Sequence, residues 1–401
     1  MCKRKIVFLI CLTFYFSLTS TFAEERLREL SEEAQKEAEA EIKTSPWLAG
    51  FEKSRKALED KYGTTFAVLV NSQYQFIAHA KRDTGNSRAA WYYNMELDQR
   101  LWKGASAVFE IEGGHNKGID KLLPTFSIFD ENAGEPSYLY VSELYLTQKI
   151  FEDKIFLLAG RIDLSDWFDT NEVANSSDMQ FQSSALGNSL TIPFPQQGLG
   201  AMVEIKPVDW FYFQAGASDA EASSTRVGIS NCFKGTLFMA EAGFSPKIGE
   251  LQGNYRFIYD LTHQGLDRID DSGREINSSG FNLSFDQEVT KRIALFMRYG
   301  FADSRVRDIE YSWSCGGQIT EPFQGRKNDV FGLGVAQSIV GRDYRLANES
   351  GAAETIYEAY YKISLHPFVK LIPSFQVVTH PLAQNDSGTD YVGGTRLVII
   401  F

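Results

Sequence analysis

Apolar and polar residues alternate along the chain from Thr64 onward. Between Ala89 and Leu101, for example, Trp91 and Met95 fall on one face and Glu96 on the other. A period of two is that of a β-strand, because successive side chains point to opposite sides of a sheet. The pattern therefore predicts strands with one apolar face and one face that carries charge and cannot contact lipid.

Fifteen segments show this alternation, and together they predict an antiparallel, all-β protein. A closed single-chain bacterial barrel has an even number of strands, so we expect 16, with one hidden in the region 170–190 or 305–312. Six polar stretches are predicted to be loops: 115–136, 164–196, 219–235, 262–277, 303–325 and 341–354. The spacing of about 21 residues per strand and connection suits tilted membrane strands of ~9–11 residues.

The N-terminal residues have the form of a cleaved secretory signal. Lys3, Arg4 and Lys5 precede an apolar run over residues 6–18, and a possible cleavage site follows at Ala23. This order of positive, apolar and small residues is typical of a signal peptide, which we expect over residues 1–23.

The next segment, residues 24–61, is predicted to be helical. Its first half is mostly charged, which favours a solvated helix or a frayed extension. Its second half carries Trp47, Phe51 and Leu58, so that part is expected to pack under or inside a barrel formed by residues 62–401.

Composition narrows the functional classes. The net charge is −12, which makes nucleic acid a poor partner. Cys232 and Cys315 would remain after cleavage of the signal, and they are expected to be loop thiols or a loop disulfide rather than metal ligands. No motif predicts a cofactor, and the five histidines form no catalytic signature.

A secreted β-sandwich would also show alternation, but it needs no aromatic bands. Here the apolar face is repeatedly Tyr, Trp or Phe near strand ends, as in the girdles of a membrane barrel. The last strand, residues 393–401, ends in Phe401 and would remove the open edges by pairing with the first. A transmembrane antiparallel β-barrel is therefore the predicted fold.

Three motifs carry a family resemblance. The first is Leu158-Ala159-Gly160-Arg161-Ile162-Asp163 with Trp167-Phe168-Asp169 after it, and the second is Pro322-Phe323-Gln324-Gly325-Arg326-Lys327. The third combines Tyr357-Glu358, Pro373-Ser374-Phe375-Gln376 and the closing strand. In this order, with the lead-in from Trp47 to Gly63, they resemble the carbohydrate-selective porin family of outer-membrane channels. Family members commonly have Asp where this chain has Phe375, which leaves substrate preference open.

The resemblance implies passive diffusion of small sugars through the outer membrane of a Gram-negative bacterium. The implied partners are lipid, lipopolysaccharide and sugars, in a monomer or, as the alternative, a trimer. Facing rows of arginine and carboxylate could replace the hydration shell of a sugar and release it again. The expected pore-lining or substrate-binding residues are Glu96, Asp98, Arg100, Glu143, Arg161, Asp163, Trp167, Arg256, Arg298, Arg326, Glu358 and Arg396. The strand pattern places Glu110, Glu112, Lys149, Asp260 and Lys362 in the lumen as well.

Two other functions remain open at this point. A general diffusion porin for small hydrophilic solutes has the same strand pattern, and sequence hardly separates it from a sugar channel. A barrel enzyme would need a nucleophile and a base on the wall, for which the sequence gives no signature.

Overall fold

The computed structural model describes residues 26–81, 86–115, 117–134, 138–223, 233–270 and 272–401. The predicted signal peptide and Cys232 lie outside these ranges.

The described strands form one continuous wall. They are β1 (Thr64–His79), β2 (Ser87–Trp102), β3 (Ala105–His115), β4 (Tyr140–Ile150), β5 (Ile155–Ile162), β6 (Gly198–Val208), β7 (Phe211–Asp219), β8 (Thr236–Phe244), β9 (Lys247–Ile248), β10 (Leu251–Asp267), β11 (Glu275–Thr290), β12 (Ile293–Ala302), β13 (Ile309–Thr320), β14 (Val330–Val340), β15 (Ala353–His366), β16 (Val369–Thr379) and β17 (Thr389–Ile400). The two-residue strand β9 pairs with the start of β10 and extends the hairpin between β8 and β10. The wall therefore has 16 strands.

The wall closes on itself. Each strand pairs antiparallel with the next one along the chain, except that β8 pairs with β10 across the short β9. The last strand, β17, returns to β1 with Leu69 opposite Ile400 and Gln73 opposite Arg396. Closure satisfies the backbone groups that an open edge would expose to hydrocarbon. The predicted 16-stranded barrel with a preceding helical segment is confirmed.

The hidden strand is β13, Ile309–Thr320. The predicted loop 303–325 is therefore wrong over most of its length, and the region 170–190 contains no strand. Sequence patterning missed β13 because its inward positions Ser312 and Ser314 are small and uncharged. They are small because a loop packs against them inside the barrel: the Ser312 hydroxyl lies 3.2 Å from that of Ser189.

Two further sequence expectations are corrected. The predicted loop 262–277 is largely strand, since β10 runs to Asp267 and β11 begins at Glu275. Cys315 lies in the middle of β13 rather than in a loop, opposite Met297 of β12, and its thiol is free.

Burial follows the strand period. On the outer face, Leu333 and Tyr259 are exposed, as a surface in contact with lipid requires. The inner face buries polar side chains such as Asn282 and Ser284. Short turns lie at one end of the barrel, together with the C-terminus and the start of β1, and long loops lie at the other.

The strand pattern shifts at β4 and β5. A bulge in β4 places Glu143 opposite Glu110 but Val141 opposite Ile111, so Tyr140 faces inward instead of outward. In β5, Phe156 and Leu158 face inward, and Arg161, opposite Leu144, is buried and donates to the backbone of β4. Phe156 faces inward because Trp167 packs on it inside the barrel, with ring centroids 5.4 Å apart.

The connection between β5 and β6, residues 163–197, folds into the barrel. Phe168, Phe181 and Leu186 of this inner loop are fully buried. Glycine at position 334 of β14 leaves room for the loop. A Cβ atom on Gly334 would lie 2.9 Å from Leu186 and 3.0 Å from Phe181, which is too close for ordinary contact. The β3–β4 connection, residues 116–139, joins the inner loop where the Ser183 hydroxyl donates to Ser127 O at 2.7 Å.

A buried ion pair fastens the inner loop to the wall. Arg298 of β12 donates to Asp169 Oδ1 at 2.9 Å, and both side chains are almost fully buried. The same guanidinium donates to the carbonyls of Asp169, Ala174 and Leu186 at 2.8–2.9 Å. One arginine thus holds three points of the loop.

Two helices precede the barrel, α1 (Arg26–Thr44) and α2 (Pro46–Tyr62). No helix among the described residues has the length and apolar character needed to cross a membrane. The charged helix α1 is not a solvated extension, since Leu27, Ala34 and Ala38 are buried. The expected packing of α2 under the barrel is confirmed at Phe51, whose ring centroid lies 6.0 Å from that of Phe66 and 6.1 Å from that of Phe401, while Trp47 stays 65% accessible.

We expect Leu333→Arg to destabilise the barrel by about 2–4 kcal/mol, because it places a charge on the lipid-facing surface. Denaturant unfolding in lipid vesicles measures the change. The control Leu346→Arg alters another exposed leucine, on the short helix α4 (Arg342–Asn348), outside the wall. A similar loss in both variants would contradict a lipid-facing position for Leu333.

We expect Arg298→Ala to cost about 3–5 kcal/mol of stability, because it leaves the Asp169 carboxylate buried without its partner. The inner loop should then become a substrate for limited proteolysis while the wall stays resistant. The control Arg305→Ala breaks a pair with Asp303 in which the arginine is 54% exposed, and it should change stability by less than about 1 kcal/mol. Resistance of the inner loop in Arg298→Ala would argue against its fastening role.

Candidate functional site

A cavity of about 190 Å³ lies between the inner loop and strands β2, β3 and β4. We call it the constriction. Its lining is rich in carboxylates: Glu96, Glu110, Glu112, Glu131, Glu143, Asp163, Asp166 and Asp178. No lysine or arginine is among its described lining residues.

Neutral groups hold several of these carboxylates in place. The Ser142 hydroxyl donates to Glu110 at 2.8 Å, and the backbone N–H of Asp163 donates to Glu143 at 2.6 Å. Asn94 donates to Glu112 at 3.2 Å, and the Tyr140 hydroxyl donates to the same carboxylate. The bulge in β4 makes this possible, because it turns Tyr140 toward the lumen.

Four of the predicted site residues meet at the constriction. Glu96 and Glu143 come from the wall, and Asp163 and Trp167 begin the inner loop. Asp163 accepts from the backbone N–H and the hydroxyl of Ser165, which fixes the first turn of the loop. Trp167 is 3% exposed, and its indole N–H has no acceptor within the described part of the chain.

Asp98 and Arg100 lie further toward the short-turn end. They line a second cavity of about 250 Å³, which shares Glu96 with the constriction. Asp98 pairs with Arg28 of α1 at 2.6 Å, and Arg100 donates to Glu59 O at 3.3 Å. Both residues therefore connect the wall to the N-terminal helices.

Four other predicted residues are buried parts of the framework. Arg256 pairs with Asp286 at 2.8 Å, and Arg298 holds Asp169. Glu358 accepts from the backbone N–H groups of the inner loop at Gln182 (2.7 Å) and Ser183 (3.0 Å). Arg396 donates to the carbonyls of Ser177 and Gln180. These side chains face inward, but three of them, Arg298, Glu358 and Arg396, form their hydrogen bonds with the inner loop.

Arg161 and Arg326 lie away from the constriction. Arg161 donates to the carbonyls of Val141 and Ser142 at 3.1 and 2.9 Å, so it braces the bulge in β4. Arg326 lies in the turn between β13 and β14 and pairs with Asp329 at 2.8 Å. Neither lines a described cavity near the inner loop.

Sequence patterning did not single out the loop carboxylates Glu131, Asp166 and Asp178. Strand alternation gives no information about a loop, and only the neighbouring Trp167-Phe168-Asp169 motif marked this region. It also did not predict that α1 would border the lumen. Leu27 and Leu30 of α1 line the constriction, and Glu29 and Lys36 line a larger cavity of about 650 Å³ beside it.

Two solved outer-membrane structures illustrate the likeness in fold. The structure titled "High pH structure of Pseudomonas putida OprB" aligns with a TM-score of 0.76 and 19% identity, covering 88% of this chain and 97% of that one. The outer-membrane channel DcaP of Acinetobacter baumannii aligns with a TM-score of 0.54 and 11% identity, covering 84% and 97%. Both are similar in fold.

Sequence relatives include Porin AaxA of two Chlamydia species. The protein of Chlamydia trachomatis serovar L2 is 24% identical over 242 residues, which are 60% of this chain and 51% of the relative. That of Chlamydia pneumoniae is 24% identical over 259 residues, 64% and 58% of the two chains. The alignments thus span just over half the length of these relatives.

The sequence profile of a single family covers most of the barrel, from residue 93 in β2 to the C-terminal Phe401. This range contains the inner loop and every described wall residue of the constriction except Leu69 and Tyr92. The chain belongs to the carbohydrate-selective porin, OprB family.

Proposed function

We propose that this protein is a channel for the passive diffusion of small sugars across the outer membrane of a Gram-negative bacterium. The observation that carries the proposal is the constriction, a polar space inside a closed barrel whose outer face is apolar. In this orientation the long loops are extracellular, next to lipopolysaccharide, and the short turns are periplasmic. We propose a monomer, because one chain encloses the whole lumen.

The polar groups of the constriction suit a hydroxylated solute. Each sugar hydroxyl both donates and accepts, so it can give its hydrogen to a carboxylate and receive one from an N–H group. Carboxylates such as Glu143 offer acceptors, and the indole N–H of Trp167 offers a donor that no described residue uses. Several weak contacts of this kind allow entry and release.

The direct test is reconstitution of the purified protein. Single-channel conductance in a planar bilayer should fall when glucose is added, because bound sugar obstructs the constriction. Swelling of proteoliposomes should report entry of the same sugar. Conductance that does not respond to sugar would instead favour a general diffusion pore.

We expect Trp167→Phe to weaken sugar binding by about 2- to 10-fold, the effect of one lost neutral hydrogen bond. The change keeps an aromatic ring on Phe156 and removes only the N–H donor. Glucose-dependent block measures the binding, and ion conductance without sugar should stay close to that of the wild type. The control Trp210→Phe alters an exposed tryptophan in the β6–β7 turn. Equal block in the wild type and in Trp167→Phe would remove Trp167 from the proposed site.

The helix α1 narrows the periplasmic half of the lumen. Two ion pairs attach it to the wall: Arg28 with Asp98 at 2.6 Å, and Glu37 with Lys370 at 2.8 Å. Burial raises the pKa of Glu29 from 4.5 to about 7, and the nearby carboxylates of Glu172 and Glu33 add to this rise. The positive charge of Arg28 lowers the pKa of Glu29, and the carboxylate of Glu32 raises it slightly.

A raised pKa means that the docked helix favours protonated Glu29. The contribution of this group to docking is full below pH 4.5 and is lost as the pH rises through about 7. We therefore expect conductance to increase from pH 5 to pH 8 as α1 loosens. Glu29→Gln should reduce this pH dependence, since glutamine does not titrate, whereas Glu39→Gln alters an exposed position of the same helix and should not. An identical pH profile in Glu29→Gln would contradict the role of Glu29.

A further inference from the structure

Helix α2 carries an apolar stripe along one side. Its four large apolar residues are separated by four, seven and four positions: Trp47, Phe51, Leu58 and Tyr62. At 3.6 residues per turn, this spacing places them within about 60° of one another around the helix. Trp47 is 65% exposed, Leu58 38% and Tyr62 56%. Most of the stripe is therefore not buried by the described part of the chain.

The stripe is continuous with the outer face of the barrel. The ring of Trp47 stacks on that of Phe51 at 6.0 Å, and Phe51 packs edge-on against Phe66 of β1, also at 6.0 Å. Phe66 points outward, because it pairs with Leu97 of β2, which is 40% exposed, whereas the next residue, Ala67, is buried. The apolar surface thus runs from the helix onto the lipid-facing wall.

The wall has an aromatic belt at the same end of the barrel. Its rings follow one another at centroid distances of 5.0–6.2 Å: Trp210, Phe211, Phe244 and Phe257. Trp210 lies in the short turn between β6 and β7, and α2 leads into β1 at this short-turn end. Aromatic rings of this kind mark the boundary between hydrocarbon and water. The stripe of α2 therefore lies near the membrane boundary.

The opposite side of α2 is polar. Lys53, Lys56 and Asp60 are exposed there. Beside the stripe, the Lys61 ammonium lies 4.9 Å from the ring centroid of Tyr62, and its flexible stem allows it to reach a lipid phosphate. An apolar side flanked by cations and backed by a polar side is the pattern of a helix that lies in the membrane interface.

We propose that α2 is an interfacial helix whose apolar stripe inserts into the phospholipid leaflet at the short-turn end, which faces the periplasm in the proposed orientation. Lipid covers Trp47, Leu58 and Tyr62 as it covers Leu97 of the wall. Because only Ser45 separates α1 from α2, the lipid-bound α2 also holds the adjoining end of α1 in place. This interaction does not depend on which solute the channel carries.

The test measures lipid contact by electron paramagnetic resonance of the full chain in vesicles of phosphatidylethanolamine and phosphatidylglycerol. A nitroxide is attached at Leu58→Cys on the stripe or at Lys53→Cys on the polar side, with the native cysteines replaced by serine. Oxygen dissolves in hydrocarbon, whereas a nickel chelate stays in water, so the ratio of their collision rates with the nitroxide reports its immersion. This ratio should be several-fold higher at position 58 than at position 53.

A charge on the stripe should weaken the insertion. With the nitroxide at Tyr62→Cys, the added change Leu58→Asp should lower the collision ratio toward the value at position 53, because a carboxylate opposes entry into hydrocarbon. The matched control Ala57→Asp adds the same charge at the neighbouring exposed position, off the stripe, and should leave the ratio unchanged. Heat-modified mobility on gels confirms that each variant forms the barrel.

Three results would overturn the inference. The first is an equal collision ratio at positions 53 and 58, and the second is an equal fall in Leu58→Asp and Ala57→Asp. The third is dipolar broadening between the nitroxides of two chains with little oxygen contact at position 58, which would assign the stripe to a second copy of the protein. None of these results bears on sugar passage, which the conductance measurement tests separately.

Discussion

The structure depends on one constraint: inside a hydrocarbon layer every backbone N–H and C=O must find its partner within the protein. Antiparallel strands can meet this requirement only if the sheet has no open edge. The pairing of β17 with β1, from Leu69 opposite Ile400 onward, removes the last edge. Closure also creates an inner face shielded from lipid, and only there can charged side chains such as Arg256 and Asp286 lie at membrane depth.

That inner face is used in two ways. Part of it acts as a framework, because the inner loop brings its own unpaired backbone groups into the barrel and these must be satisfied. Arg298, Arg396 and Glu358 do this by binding carbonyls and N–H groups of the loop. The remaining inner face lines the constriction and is acidic. Arginines that fasten the loop donate to its carbonyls, whereas carboxylates line the constriction.

The family profile covers residues 93–401, which include the fastening residues and all of the described constriction wall except Leu69 and Tyr92. It does not include α1, the helix that lines part of the lumen toward the short-turn end. The two ion pairs of α1 join it to β2 and β16, so its position is set by the barrel and not by the helix itself.

The sequence by itself determined most of the strands, because the alternation of apolar and polar residues is visible within each strand and does not depend on which strands lie beside it. It also identified Glu96, Glu143, Asp163 and Trp167 as lumen candidates. It failed where packing inside the barrel changed the pattern: β13 has small inward residues under the inner loop, and β5 turns Phe156 inward against Trp167. Only the tertiary structure decided which inward charges line the constriction and which bind the inner loop. In the sequence, a charged residue on the inward face of a strand fits the same alternation in either role.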